Sequence, residues 1–180
     1  MSTPHKPELA VPVGPIDHAQ GPEHAPITLV EYGDFECPSC KQAAPLLKML
    51  LERRPGKLRV VFRHYPLEGV HPHALLAAQA AEAAAAQGQF WQMHDLLFAN
   101  QMHLKIAQLR AYAEQLELDM TRFNAEIGDE VYLQRVREQI DGGKRSNVRA
   151  TPTIFVNGVI HDTSFGLKSL EDAVEALLDN

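Results

Sequence analysis

The chain has 180 residues, 45% of them hydrophobic, which suits one globular unit with an ordinary buried core. A net charge of -6 with scattered basic residues offers no broad positive surface, so neither nucleic acid nor an anionic membrane is expected as a partner. No stretch approaches the roughly 18 uninterrupted apolar residues of a membrane span, and Met1 to Pro15 lack the basic start and apolar core of a secretion signal. A cytoplasmic protein is therefore expected; a leader removed ahead of Met1 would place it in the periplasm instead.

In chain order, six of the twelve prolines precede Ile27, so residues 1–26 read as an extended, loosely held arm with at most one short edge strand near Leu9 to Val13. "ITLVEY" from Ile27 reads as a buried strand that opens the packed domain. From Pro38, a residue suited to a first helical turn, apolar residues recur at helical spacing through Leu51, with Pro45 expected to kink the helix. "KLRVVFRHY" is a second strand, and a helix of this length between two strands makes a parallel βαβ unit.

Residues 67–145 read as helical. One helix ends at Gly88, a second carries Trp91 and His94, a third carries Ile106, Leu109, Ala113 and Leu116, and a fourth carries Tyr132, Val136 and Ile140. The alanine run from Ala74 reads as close helix packing. Beyond "DGG", "TPTIFVNGVIH" reads as a hairpin turning at Asn157-Gly158, followed by a last helix with Leu167, Leu170, Val174, Leu177 and Leu178 on one face. The order is β-α-β, several helices, then β-β-α, an α/β protein.

The only two cysteines, Cys37 and Cys40, bracket Pro38 and Ser39 between the first strand and its helix. Three chemistries use such a pair: a metal clamp, a structural disulfide and a redox couple. A reducing cytoplasm disfavours the second. Zinc wants about four ligands, and no second cysteine pair exists, which leaves His71 and His73 as the best additional candidates. The redox reading gains from position. Unpaired N-H groups and the helix dipole at a helix start favour a thiolate, and can bring a cysteine pKa from about 8.5 into the range of roughly 3.5 to 7.5. Cys37 would then be the nucleophile, and Cys40, one turn further in, the resolving thiol.

"LVEYGDFECPSCKQAAP" and "TPTIFVNG", with "FRHYPL", "HPHA" and "FWQMHDLLF" between them, resemble the thioredoxin superfamily, and within it the DsbA-like thiol-disulfide oxidoreductases. The resemblance implies a thioredoxin-fold domain over 27–66 and 146–180 with a helical domain inserted at 67–145. It implies exchange between the Cys37-Cys40 dithiol or disulfide and protein thiols or disulfides, without a metal or organic cofactor, and a recycling partner that is thioredoxin-like or glutathione. Pro152 matches the family's cis-proline facing the cysteines, and Thr151 beside it offers backbone to an extended substrate segment. Glu31, in an otherwise apolar strand six residues before Cys37, resembles the family's buried acid that handles the proton of the second cysteine. Phe35 is expected on the exposed rim around Cys37, while Pro38 and Ser39 border the pair as candidate substrate contacts. The strongly oxidising members carry a histidine between their cysteines where this chain has Pro38-Ser39, so the direction of electron flow stays open. Two other readings remain: a glutathione-linked reductase or isomerase on the same fold, and a metal-binding or redox-sensing module.

Overall fold

The computed structural model describes residues 8–164 and 166–179. Twelve elements follow one another: β1 (His18–Gln20), β2 (Ile27–Gly33), α1 (Pro38–Arg53), β3 (Leu58–His64), α2 (Ala74–Ala85), α3 (Phe90–Ala99), α4 (Ile106–Gln115), α5 (Met120–Gly128), α6 (Leu133–Arg145), β4 (Thr153–Val156), β5 (Val159–His161) and α7 (Lys168–Leu178). The strands form one mixed sheet in the order β1-β3-β2-β4-β5. β2 and β3 are parallel, with Ile27 opposite Leu58 and Gly33 opposite His64. The β1-β3, β2-β4 and β4-β5 pairs are antiparallel.

Alternation along the central strands sends side chains into two layers. Leu29, Leu58, Val60 and Ile154 pack with Leu47 and Leu50 of α1 and with Leu170 and Val174 of α7. Val30, Tyr32, Val61 and Phe155 point the other way, onto Tyr65, Val148 and Ile140 of α6. The alanines of α2 from Ala74 to Ala84 are buried and let α3, α4 and α5 close around it, in a cluster that continues through Phe35 and Phe62 to both cysteines.

Two expectations change. The arm's strand is His18–Gln20 rather than one near Leu9 to Val13, because the Arg63 guanidinium takes the carbonyls of Val11 and Pro12 at 2.8 and 3.1 Å, and these groups are lost to a ladder. The arm is also not loosely held: Leu9, Val13 and Ala19 pack on the core, while residues 1–7 lie outside the described residues. α6 runs through Gly142 and Gly143 because a Cβ at Gly143 would stand 2.7 Å from the Tyr65 ring, so only glycine lets the helix approach this closely. A helix absent from the pattern, α5, buries only Phe123 and Ile127 and starts at Asp119, whose carboxylate accepts the Arg122 N-H.

The hairpin turns at Asn157 (φ 48°) and Gly158 (φ 82°), the left-handed pair of a tight turn.

Candidate active site

Cys37 is the N-cap of α1, and Pro38 occupies the first turn. Both cysteines are free thiols; Cys37 is 7% exposed and Cys40 fully buried. The Thr151–Pro152 peptide bond is cis, and the Cys37 thiol donates to the Thr151 carbonyl at 3.2 Å. The sequence separates these groups by more than a hundred residues; β4, antiparallel to β2, brings them together.

The Cys37 thiol is lowered from 9.0 to about 5. Donation from the Cys40 thiol is the largest cause, burial opposes it, and the Thr151 side chain and the N-H groups of Cys40 and Ser39 contribute further. Pro38 has no N-H, so the helix start presents the next two amides to the sulfur. Cys40 shifts strongly upward, first through burial and then through its hydrogen bond to Cys37 and the charges of Glu31 and Cys37. The Asp34 N-H reaches the Cys40 sulfur at 3.5 Å. The pair is thus split into one thiol that ionises readily and one that holds its proton.

Glu31 is buried, as expected of a strand covered on both faces, and its Oε1 has no hydrogen-bond partner. Burial, assisted by the Cys37 charge, raises its carboxyl from 4.5 to about 8. A cavity of about 30 Å³ beside it is lined by Lys48, Trp91, His94 and Asp95, roughly the space of a single water.

Phe35 is not on the rim. It is 1% exposed and packs on Phe62 and Phe98 with ring centroids 5.3 and 4.9 Å apart. Beyond the end of β2 the backbone turns, and an aromatic of this size gains more by filling the core than by facing water. Ser39 and Pro38 are exposed beside the pair, but the group that Ser39 turns to the sulfur is its backbone N-H. Thr151 and Pro152 are half-buried, and the Thr151 hydroxyl, with no other hydrogen-bond partner, is free to turn to the Cys37 thiolate.

Sequence reasoning missed the residues that hold the loop before Cys37. The buried Asp34 carboxylate accepts the N-H groups of Glu36 and Leu67 and Nδ1-H of His71, each at 2.7 Å. Glu36 in turn accepts the N-H and Nδ1-H of His73. His71 and His73, the histidines considered as metal ligands, are therefore clasps on the loop. Gln101, also buried, donates to the carbonyls of Phe35 and Cys37. A loop acidic residue or a lone glutamine has no pattern to announce such partners.

Among the described residues, a different group brings metal-ligating atoms together: His18, His64 and Glu82, all within 4.8 Å. Both histidines bond Glu82 Oε1, and Arg135 stands 2.6 Å from Oε2. Burial opposes ionisation of Glu82, but the His18 and His64 bonds outweigh it and hold the carboxyl below its usual range. Its charge is already matched by a guanidinium, so the cluster is a cross-link joining the arm, β3, α2 and α6.

A sheet of this topology with CxxC at the start of its first long helix and a cis X-Pro bond against the sulfur defines the thioredoxin-fold class. The chain belongs to the family described as Thioredoxin, whose model matches residues 15–176. Its fold is similar to that of oxidised BdbD from Bacillus subtilis (TM-score 0.80, 24% identity, 90% of this chain and 92% of that one). It is equally similar to alpha-DsbA1 from Wolbachia pipientis (TM-score 0.79, 22% identity, 94% of each chain). A curated relative, named Na(+)/H(+) antiporter NhaA 1 in Salinispora arenicola, is 51% identical over 168 residues, 93% of this chain and 26% of that protein. The chain spans about a quarter of the length of the curated relatives it matches. Among the described residues, no helix is long and apolar enough to cross a membrane.

Proposed function

We propose that the chain is a thiol-disulfide oxidoreductase acting on protein substrates through Cys37 and Cys40. The observation that carries the reading is the contrast between the two sulfurs: an easily ionised Cys37 at a helix start, and a buried Cys40 that keeps its proton.

In the reductive direction the Cys37 thiolate attacks one sulfur of a substrate disulfide. The S-S bond breaks, the other sulfur leaves as a thiolate, and a mixed disulfide forms. Cys40 then loses its proton to the Glu31 carboxylate and attacks the Cys37 sulfur, which releases the second substrate thiolate and leaves Cys37-Cys40 oxidised. Two electrons have passed to the substrate, and the oxidative direction reverses each step. Glu31 suits this role because burial keeps its proton affinity high while the Cys37 charge raises it further: forming the mixed disulfide removes that charge, the carboxyl releases its proton to water more readily, and the carboxylate can then take the Cys40 proton.

The Thr151 backbone beside Pro152 would pair with an extended substrate segment, and exposed Pro38 and Ser39 would border it. A thioredoxin-like protein or glutathione would recycle the couple, reductively in the cytoplasm or oxidatively in the periplasm. Because the curated relatives carry the matching segment within proteins named as antiporters, a membrane transporter bearing cysteines is one substrate to seek.

The test is mutational. Cys40→Ser should accumulate mixed disulfides with protein partners, and Cys37→Ser should abolish insulin reduction; full activity of Cys37→Ser would reject the assignment. Comparing glutathione mixed disulfides with protein disulfides separates a glutathione-linked enzyme from this one.

A further inference from the structure

We propose that Gln101 is a positioning residue: its side-chain amide holds the Cys37 carbonyl, and with it the first turn of α1, so that the Ser39 and Cys40 N-H groups aim at the Cys37 sulfur. The proposal rests on the reading of Cys37 as the attacking thiol.

Gln101 follows the end of α3 and is 8% exposed. Its Nε2 lies 2.9 Å from the Phe35 carbonyl and 2.8 Å from the Cys37 carbonyl. Both neighbours only accept, so the amide must present its NH₂ to them, and its two hydrogens are both engaged. The Cys37 carbonyl is also the first acceptor of α1, taking the Lys41 N-H at 3.1 Å. Two donors from different elements therefore fix one carbonyl, and the orientation of that carbonyl fixes the peptide plane leading into Pro38 and the turn beyond. The remaining clasps on this loop, His71 on Asp34 and His73 on Glu36, grip side chains upstream. Gln101 grips the backbone of the reactive residue itself. Through it, the helical insertion contributes to the ionisation of a cysteine that belongs to the sheet domain.

The experiment uses the full chain with Gln101→Met, which keeps the length of the side chain and removes both donors. Thiolate absorbance against pH should show the Cys37 midpoint about one unit higher, which lowers the thiolate fraction at pH 6 from about nine-tenths to about one-half. Exchange should be slowed at pH 6 and recover by pH 8.5, where the thiol ionises in either protein. Gln101→Glu, which sets a carboxylate against two carbonyls, should move the midpoint further. A folded Gln101→Met protein with an unmoved midpoint, or one slowed equally at every pH, would overturn the proposal. If Gln101→Met does not fold, Gln101→Asn, which adds no charge but is too short to reach both carbonyls, is titrated in its place and decides in the same way. A wild-type protein that exchanges no disulfides, yet shows the Gln101-dependent midpoint, would sink the exchange reading and leave the positioning role standing.

Discussion

The Cys37 sulfur stands 3.2 Å from the carbonyl oxygen of Thr151, the residue on the amino side of the cis bond. A thiol can donate to that oxygen and a thiolate cannot, so ionisation of Cys37 frees the carbonyl for the N-H of an incoming strand. The same residue's hydroxyl favours the thiolate. Thr151→Val should raise the Cys37 midpoint by about one unit, the size of one hydrogen bond to a charged group. Titration of the reduced protein checks this.

Cys40 has a larger influence on the same thiol. Cys40→Ala removes its donor and should raise the Cys37 midpoint, whereas Cys40→Ser retains a hydroxyl donor and should raise it less. Equal midpoints in the two variants would mean that the Cys40 side chain does not act by donation.

Glu31 makes stability depend on pH in a defined direction. Its folded value, about 8, lies above the unfolded 4.5, so its contribution is complete below pH 4.5 and is lost as pH rises through 8. At pH 7 the folded carboxyl is still protonated while the unfolded one is ionised, a cost on the order of 3 kcal/mol. Glu31→Gln should remove most of it, giving a protein more stable than wild type at pH 7 and less sensitive between pH 5 and 9, while slowing resolution by Cys40. Urea denaturation across this range and stopped-flow exchange measure the two effects; matching denaturation midpoints for both proteins would count against a buried, raised carboxyl.

The Phe35 ring belongs to the core that supports the cysteines. Phe35→Ala should cost about 3 to 5 kcal/mol, as expected for a buried aromatic, and a surface rim residue would cost far less. Gly33→Ala should also destabilise, by about 1 to 3 kcal/mol, because the added Cβ would stand 2.5 Å from the Phe62 ring. Thermal denaturation distinguishes these outcomes.

Local chemistry made much of the fold legible. "ITLVEY" and "LRVVFRH" are apolar enough to be central strands, and Asn157-Gly158 suits only a narrow set of turns. Failures came where a tertiary contact decides. Leu9 to Val13 look like an edge strand until Arg63 takes the Val11 carbonyl, and Phe35 looks like a rim residue until the turn after β2 directs it inward. The cysteine pair and Glu31 could be picked out from residue type and position. Asp34 and Gln101 could not, because Asp34 is held by Leu67 and His71 and Gln101 holds Phe35 and Cys37, and no spacing along the chain encodes those distant contacts.

The most direct measurement is the ionisation of Cys37 in the reduced protein, followed by thiolate absorbance against a Cys37→Ser control. A midpoint near 5 is expected, with the thiolate prevailing at neutral pH. A midpoint at or above about 8.5, that of an ordinary cysteine, would contradict it.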